Sequence, residues 1–383
     1  MKRSTDRILV THQGTLPRAQ DLREMVVARE DGKPVDEAQL STRLRSAVAD
    51  MVAKQRECGI DFVNDGEQSK SSFQYYARSR LSGHQFEPSS PERAQQPLVT
   101  NARDELNFPG FFDRSGGIRR SRRQSYVVEP VKYIGQAAVQ QDIDNLKAAI
   151  GGTDVAGGVI MTLAPGTIEH WLHNDYYESQ EEFLFAVADA LHEEYQAIAD
   201  SGLIVHLDDP DLADGWQIYP DMTVDEYRTY AGLRVEALNH ALKGIAPESV
   251  ILHVCWGSGH HPHVADLPLS SLIDLFFKVN AQGISIEQAN PRHEWEWTLF
   301  EDTKLPDGKI LIPGVVGHNS DIVEHPELIA QRLINYAKNV GRENVVGGTD
   351  CGIGSRVGHA EVAWAKLAAL AEGARIATKK LWA

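Results

Sequence analysis

The sequence predicts a single (β/α)8 barrel, a TIM barrel, with a long insertion after its second strand. Three observations carry this reading. Eight short apolar runs of strand length recur along the 383 residues. Most gaps between them place apolar residues at three- and four-residue spacing with charges between, the period of an amphipathic helix. Polar, chemistry-bearing side chains stand at the ends of several runs, where barrel sites are built. Alternating strands and helices imply a parallel sheet. Eight such units, with polar residues at the strand ends, favour a closed barrel over an open doubly wound sheet.

Taken in order, the first run is RILVTH (7–12). The helical pattern VDEAQLSTRLRSAVADMVAKQREC then leads to GIDFVND (59–65). The stretch from 66 to 156 breaks the rhythm with QFEPSSPERAQQP, FPGFFDRSGGIRRSRR and a polar helix near QDIDNLKAAIGG. It reads as an insertion, with a hairpin expected inside it, lying over the C-terminal mouth where βα loops open. GGVIMTL (157–163) and GLIVHLDD (202–209) flank the helix SQEEFLFAVADALHEEYQAIADSG. TVDEYRTYAGLRVEALNHALKG precedes SVILHVC (249–255), and GISIE (283–287) and KILIPGVV (309–316) follow. HPELIAQRLINYAKNVG leads to the last run, NVVGGTD (344–350). One catalytic domain over 1–383 is the expected organisation, with no internal repeat, low-complexity segment or obvious linker.

Composition narrows the function. Apolar residues make up 42% and charged residues 24%, ordinary for a globular enzyme. With 38 basic and 54 acidic side chains the net charge is −16, which argues against nucleic acid or an anionic membrane as partner. Arg119, Arg120, Arg122 and Arg123 are a local exception. They read as a solvated loop, with an anion clamp near a site as the sharper alternative. No apolar stretch reaches membrane-spanning length, and MKRSTDRILV lacks a signal-peptide core. A cytoplasmic location is expected. Cys58, Cys255 and Cys351 make no disulfide framework, and a reducing compartment leaves thiols free for metal.

Four side chains at the ends of apolar runs carry the chemistry: His253, Cys255, Glu287 and Cys351. Zinc is held by thiolate, imidazole and carboxylate. His253 and Cys255 are two apart, which on a strand puts both on one face, the inward face of a barrel. Glu287 and Cys351 come from later strand ends and converge with them only if the barrel closes. Alone, an HxC pair is as well explained by a core histidine and a buried cysteine. The charge of the full set decides the reaction. Two thiolates and a carboxylate neutralise zinc and make it a poor activator of water. Such a site still favours the thiolate of an incoming thiol and keeps it nucleophilic. The implied chemistry is attack of that thiolate on an alkyl carbon.

Other polar residues sit at strand ends. Glu67 in NDGEQSK and Asp208 in HLDDPDLAD are placed to bind a substrate ammonium or manage a proton, against capping or pairing with arginine. His12 and Thr15 in THQGTLPR are candidate substrate contacts. His318 and Asn319, after PGVVG, are candidate donors to a leaving group, against simple loop structure. His260, His261 and His263 in GSGHHPHVAD suggest a second metal site, but loop polarity and helix-start contacts explain them as well. Trp256 reads as packing against the mouth and Cys58 as a small buried residue. The glycines of GVVG and GGTDCGIGSR lack the spacing of a nucleotide loop.

These residues resemble a known family. THQGTLPR, GIDFVNDGEQ, HLDDPDL, HVCWG, SIEQAN and TDCGIGSR are similar, in order, to the zinc-bearing catalytic domain of cobalamin-independent methionine synthase. The resemblance spans nearly the whole chain. It implies a barrel with zinc on His253, Cys255, Glu287 and Cys351, and it implies that Glu67 and Asp208 hold the amino group of a thiol substrate. KYIGQ, ANPRHEWEW, KLPDGKILIPGVV, VEHP and the insertion resemble the single-domain branch that contains epoxyalkane:coenzyme M transferase. That likeness implies epoxide opening by a thiolate. Three departures stand out. A second, N-terminal barrel is not expected within these 383 residues. TLAPGTIEHWL keeps Pro165, Thr167 and Trp171 of the expected folate segment but has Leu172 where the family usually has serine. The family's DIHS stands here as GHNS, which displaces His318 by one position.

The expectation is therefore a zinc-dependent thiol S-alkyltransferase that transfers a methyl group to a thiol such as homocysteine. The alternatives are epoxide opening by a zinc-bound thiolate and, in another class, a metal-dependent hydrolase or decarboxylase. A hydrolytic site would need His260, His261 or His263 as ligands. The expected partners are a small-molecule thiol and an alkyl donor, and a homo-oligomer is compatible with this reading.

Overall fold

The structure, a computed structural model, describes residues 1–93, 102–114, 124–257, 259–354 and 356–383. The four arginines at 119, 120, 122 and 123 lie outside the described residues. All eight expected runs form strands: β1 (Leu9–Val10), β2 (Phe62–Asn64), β3 (Gly157–Leu163), β4 (Ile204–Asp208), β5 (Val250–Val254), β6 (Gly283–Ile286), β7 (Ile310–Val316) and β8 (Val346–Thr349). They pair in parallel in the order β1-β8-β7-β6-β5-β4-β3-β2. The two outer strands meet: the Asp61 N–H donates to the Val10 carbonyl at 3.0 Å, and the Val10 N–H donates to Asp61 Oδ2 at 2.9 Å. The sheet is nearly closed as a barrel, as eight alternating units require.

Each strand divides its side chains between two surroundings. Val205, Leu207, Val250, Leu252 and Val254 belong to the large core beneath the helices. Residues of the other parity enter the barrel. Leu9, Phe62, Val159, Met161, Ile204, Ile251, Ile310, Ile312 and Val346 fill its floor as a separate apolar cluster. Towards the C-terminal ends the same faces turn polar, with His206 and Asp208 on β4, His253 on β5 and Ser285 on β6. Register places Asp208 beside His253, and His253 beside Ser285. Burying apolar floor residues stabilises the closure, and it leaves the polar ends to form the mouth.

The helices follow the expected pattern. Glu37–Cys58 starts on the Asp36 side chain, which accepts the N–H groups of Ala38 and Gln39. It stops at Gly59, whose φ of 88° is the left-handed conformation glycine adopts without penalty. Val224–Ala241 opens with a reciprocal capping box between Thr223 and Glu226. After β5 and β6 the helical segments shrink to Leu269–Ser271, Ile273–Phe276 and Glu294–Glu301. No described helix is long and apolar enough to cross a membrane.

The insertion differs from expectation in two ways. Its polar helix, Gln136–Ile150, is a helix of the outer ring: Val139, Ile143 and Leu146 are buried in the main core and it packs against Glu37–Cys58. In place of a simple hairpin, His84–Gln85 pairs antiparallel with Tyr126–Val127, which pairs in parallel with His173–Asn174. The last strand comes from the segment after β3, so the insertion is tied to a neighbouring loop. Its short helix Ala102–Asn107 packs on Asp211–Ile218, the helix that follows β4. The Arg103 guanidinium donates to the carbonyls of Trp216, Tyr219 and Met222 at 2.7 Å each and stacks 3.3 Å over the Trp216 ring.

Candidate functional site

The C-terminal ends of the strands surround a cavity of about 870 Å³, lined among others by Thr15, Glu67, Asp208, Cys255 and Cys351. The extended backbone of β5 points His253 and Cys255 the same way, and Cys351 follows β8. One donor atom from each of these three residues lies within 4.8 Å of the other two. His253 Nδ1 is 3.0 Å from Ser285 Oγ, and Ser285 Oγ also accepts from Gln13 Nε2. His253 Nε2 is buried and has no hydrogen-bond partner among the described residues. With Nδ1–H donating to Ser285, Nε2 presents its lone pair to the sulfurs.

The two thiols behave as a pair. The hydrogen bond from Cys255 holds the Cys351 thiol well below its ordinary value against burial, with His253 and His318 helping. The same bond, then burial, pushes Cys255 well up. Two soft sulfur donors and an orphaned imidazole nitrogen this close fit a tetrahedral thiophilic ion, whose ligand atoms sit about 3.5–4 Å apart.

Beside this group lies a second, in which Glu287, His318 and Asp350 also bring donor atoms within 4.8 Å of one another. Glu287 Oε2 accepts the Trp256 N–H at 2.8 Å and Oε1 accepts from Asn290 Nδ2 at 3.0 Å. Glu287 therefore sits next to the residue after Cys255 but falls in the second group. Asp350 Oδ1 accepts the N–H groups of Gln288 at 2.8 Å and Ala289 at 2.7 Å. Burial, then Glu287, pushes the Asp350 carboxyl well above its usual range. Both ring nitrogens of His318 and Oδ1 of Asn319 are buried without partners among the described residues. Neither residue lines the cavity.

The candidate substrate residues divide. Thr15 Oγ1 donates to Glu67 Oε2, and both line the cavity. Glu67 has a φ of 53°, an uncommon backbone for glutamate, supported by the Asp65 carboxylate accepting its N–H at 3.0 Å. Burial raises the Glu67 carboxyl, with Lys70 and Thr15 opposing. Burial also raises Asp208 well above its ordinary value, and its Oδ1 has no partner among the described residues. A cationic group in the cavity would relieve both. His12, in contrast, is buried away from the cavity. Its ring nitrogens are taken by the Gln13 carbonyl at 3.1 Å and Gln55 Oε1 at 2.8 Å, so the structure gives it a packing role instead.

The histidine-rich loop does not gather into a metal cluster. His261 Nδ1 is 2.7 Å from Asp104, and His263 Nδ1 is 2.7 Å from Asp266. Trp256 packs against His293 and donates from Nε1 to the Leu267 carbonyl at 2.8 Å. Cys58 is half-buried, with its thiol towards the Trp364 carbonyl. Sequence reasoning passed over Ser285, Gln13, Asp350 and His206. Ser285 in SIEQAN and Asp350 in TDCGIGSR each stand close to a candidate ligand, which was a usable signal. His206, two residues before Asp208, shares its inward face, and period-two counting would have found it.

Comparisons with known proteins agree with this fold. The sequence model of the cobalamin-independent synthase catalytic domain matches residues 108–375. A methionine synthase of Sulfolobus acidocaldarius is 24% identical over 375 residues, covering 96% of this chain and 91% of the relative. One from Thermococcus kodakarensis is 24% identical over 370 residues, covering 96% and 93%. Among solved structures, a B12-independent methionine synthase from a Shewanella species, in complex with selenomethionine, superposes with a TM-score of 0.74 at 23% identity, covering 98% of this chain and 99% of that one. A methyltransferase from Methanosarcina mazei gives a TM-score of 0.54 at 14% identity over 99% and 95% of the two chains.

Proposed function

The chain belongs to the cobalamin-independent synthase catalytic-domain family, and from that premise we propose that it transfers a methyl group to a small-molecule thiol such as homocysteine at a zinc centre. The observation that carries the reading is the meeting of His253, Cys255 and Cys351 at the floor of a cavity that also holds Glu67 and Asp208. His253 Nε2 and the two sulfurs are the first three zinc donors. Glu287, which belongs to the neighbouring group and accepts the Trp256 N–H, would be the fourth. A zinc ion held by these residues would supply a Lewis acid that favours the thiolate form of an incoming thiol. With two thiolates and a carboxylate as donors the site is electron-rich, which favours thiolate over water chemistry.

The chain's own residues do the rest. Asp208 and Glu67 bind the substrate's ammonium and so fix where its sulfur lies. Thr15 orients Glu67 through their hydrogen bond. Ser285 fixes the ring of His253 through Nδ1. The insertion closes over the mouth, and Phe112 and Tyr76 line the cavity with apolar surface that excludes water.

The test combines metal and thiol. Wild type, Cys255→Ser and Cys351→Ser are analysed for zinc, then offered homocysteine, coenzyme M and glutathione with X-ray absorption at the zinc edge. Loss of zinc in both variants and a new zinc–sulfur bond with homocysteine alone are expected. Undiminished zinc in both variants would sink the site, and coordination of coenzyme M alone would name the other acceptor.

A further inference from the structure

Alkyl transfer from a donor with a basic leaving atom needs a proton, and the residues expected to give it, His318 and Asn319, do not line the cavity. Another imidazole does. His261 lines the same cavity as Cys255 and Cys351. Its Nδ1 lies 2.7 Å from Asp104 Oδ2, and the two side chains are 2% and 0% exposed. Its Nε2 is buried with no hydrogen-bond partner among the described residues. Asp104 is fixed in turn: its Oδ1 accepts the Ala265 N–H at 3.1 Å and its own N–H donates to Gln217 Oε1 at 3.2 Å. His261 is also stacked on His263 at a centroid distance of 3.6 Å, so its ring plane is set. A carboxylate on one nitrogen and a buried, unpartnered second nitrogen, in a residue that lines the cavity, is the arrangement of an oriented acid–base histidine.

Resting on the thiol-alkylation reading above, we propose that His261 is the proton donor to the leaving atom of the alkyl donor, and that Asp104 of the insertion is its positioning residue. The substrate sulfur forms a bond to the alkyl carbon as that carbon's bond to nitrogen or oxygen breaks. The electron pair stays on the nitrogen or oxygen, which takes a proton from His261 Nε2. The imidazole becomes neutral, keeps Nδ1–H on Asp104, and regains its proton from solvent. The leaving atom is thus an amine nitrogen or an epoxide oxygen, the shared chemistry being a base that departs with a proton. The insertion then does more than cover the mouth, because it carries the carboxylate that completes the site.

The groups facing His261 are Asp104 from the insertion and His263 and Asp266 from its own loop. Burial lowers its pKa, His263 lowers it further, and Asp104 opposes.

The experiment uses the zinc-loaded full chain with homocysteine and three donors: 5-methyltetrahydrofolate, epoxypropane, and methyl iodide, whose iodide leaves without a proton. Wild type is expected to use methyl iodide and one of the first two, which identifies the donor class. His261→Gln should lose about 10²–10⁴-fold with that donor and stay within about threefold of wild type with methyl iodide, at unchanged zinc content. Asp104→Asn should keep part of the rate and move the high-pH fall of the proton-requiring reaction to lower pH, because its charge supports the imidazolium. Equal loss with methyl iodide and the other donor in His261→Gln, an unmoved pH profile in Asp104→Asn, or a wild type that uses neither basic donor overturns the proposal. A wild type that fails even with methyl iodide removes the thiol-alkylation reading itself, and this inference with it.

Discussion

The imidazole of His293 lies flat against the indole of Trp256, with ring centroids 3.8 Å apart and planes 19° from parallel. The same ring is bracketed by two carboxylates: Nδ1 is 3.0 Å from Glu296 Oε2 and Nε2 is 3.1 Å from Asp266 Oδ2. Burial disfavours its charge, but the Asp266 and Glu296 hydrogen bonds win and raise it to about 9. Asp266, opposed by burial but bonded to His263 and His293, is held down at about 2. A buried imidazolium over an aromatic face anchors the residue that follows Cys255.

The sign of the pH dependence follows. His293 has a folded pKa above its unfolded value of about 6.5. Its contribution is complete below about 6.5 and is lost as pH rises through about 9. The shift corresponds to on the order of 3 kcal/mol. Urea unfolding of His293→Gln should therefore show a deficit of that order at pH 6 that narrows between about pH 6.5 and about pH 9 and is small above it. A deficit independent of pH would mean that packing on Trp256, not charge, is what the residue supplies.

Gly314 has no room for a side chain. A Cβ there would lie 2.3 Å from Asp350 Oδ1 and 2.8 Å from both Asp350 Cα and N. Gly314→Ala must push away the carboxylate that accepts the Gln288 and Ala289 N–H groups, leaving buried donors unpaired. We expect a loss of about 2–4 kcal/mol, read as a drop in Tm. Zinc binding should weaken too, because Cys351 follows Asp350. A variant as stable as wild type would show that β7 can shift freely at this point.

Most of the barrel could be read from the sequence because strand interiors repeat a simple rule. The runs from Gly157, Ile204, Val250 and Ile310 begin apolar on both faces, and the polar change at His206 or His253 marks the mouth. The insertion was less legible. Its helix Gln136–Ile150 carries Asp142 and Asn145 on its buried face, and these hid a ring helix. Asp142 is paired there with Arg80 at 2.7 Å, a partner 62 positions away that local spacing cannot reveal. In the site, HxC predicts convergence on one strand. The partner of His261 could not be foreseen, because Asp104 comes from a loop whose path no periodicity sets. His12 misled because position at a strand end does not tell an inward ring from one held by Gln55.

Ser285 is the hinge between the floor of the site and its candidate metal. Its Oγ meets both His253 Nδ1 and Gln13 Nε2. Ser285→Ala removes the acceptor that fixes the imidazole, so Nε2 no longer points at the sulfurs by default. Such outer partners are worth about 10–100-fold in metal affinity. Competition of the apo-protein with a chromophoric chelator should show zinc bound weaker by that factor. Unchanged affinity would argue that His253 is not a donor.

Asp208 and Glu67 make separable predictions about the acceptor. Asp208 has a buried Oδ1 with no partner among the described residues, whereas Glu67 already receives Thr15 and feels Lys70. A substrate ammonium therefore gains more at Asp208. A hydrogen bond to a charged group contributes about 1.5–3 kcal/mol, or about 10–150-fold in binding. Asp208→Asn should raise the KM for homocysteine by that factor, Glu67→Gln by less. Neither should alter binding of 3-mercaptopropionate, which carries a thiol but no amine. The two thiols also differ in proton release. Burial raises Asp208 above its ordinary value, and an ammonium beside it opposes that rise and favours release of a proton. Calorimetry in buffers of different ionisation enthalpy should record more proton release with homocysteine than with 3-mercaptopropionate near neutral pH. The excess should vanish in Asp208→Asn, while the release from the thiol itself, common to both ligands, persists. An excess that survives the substitution would place the ammonium elsewhere in the cavity.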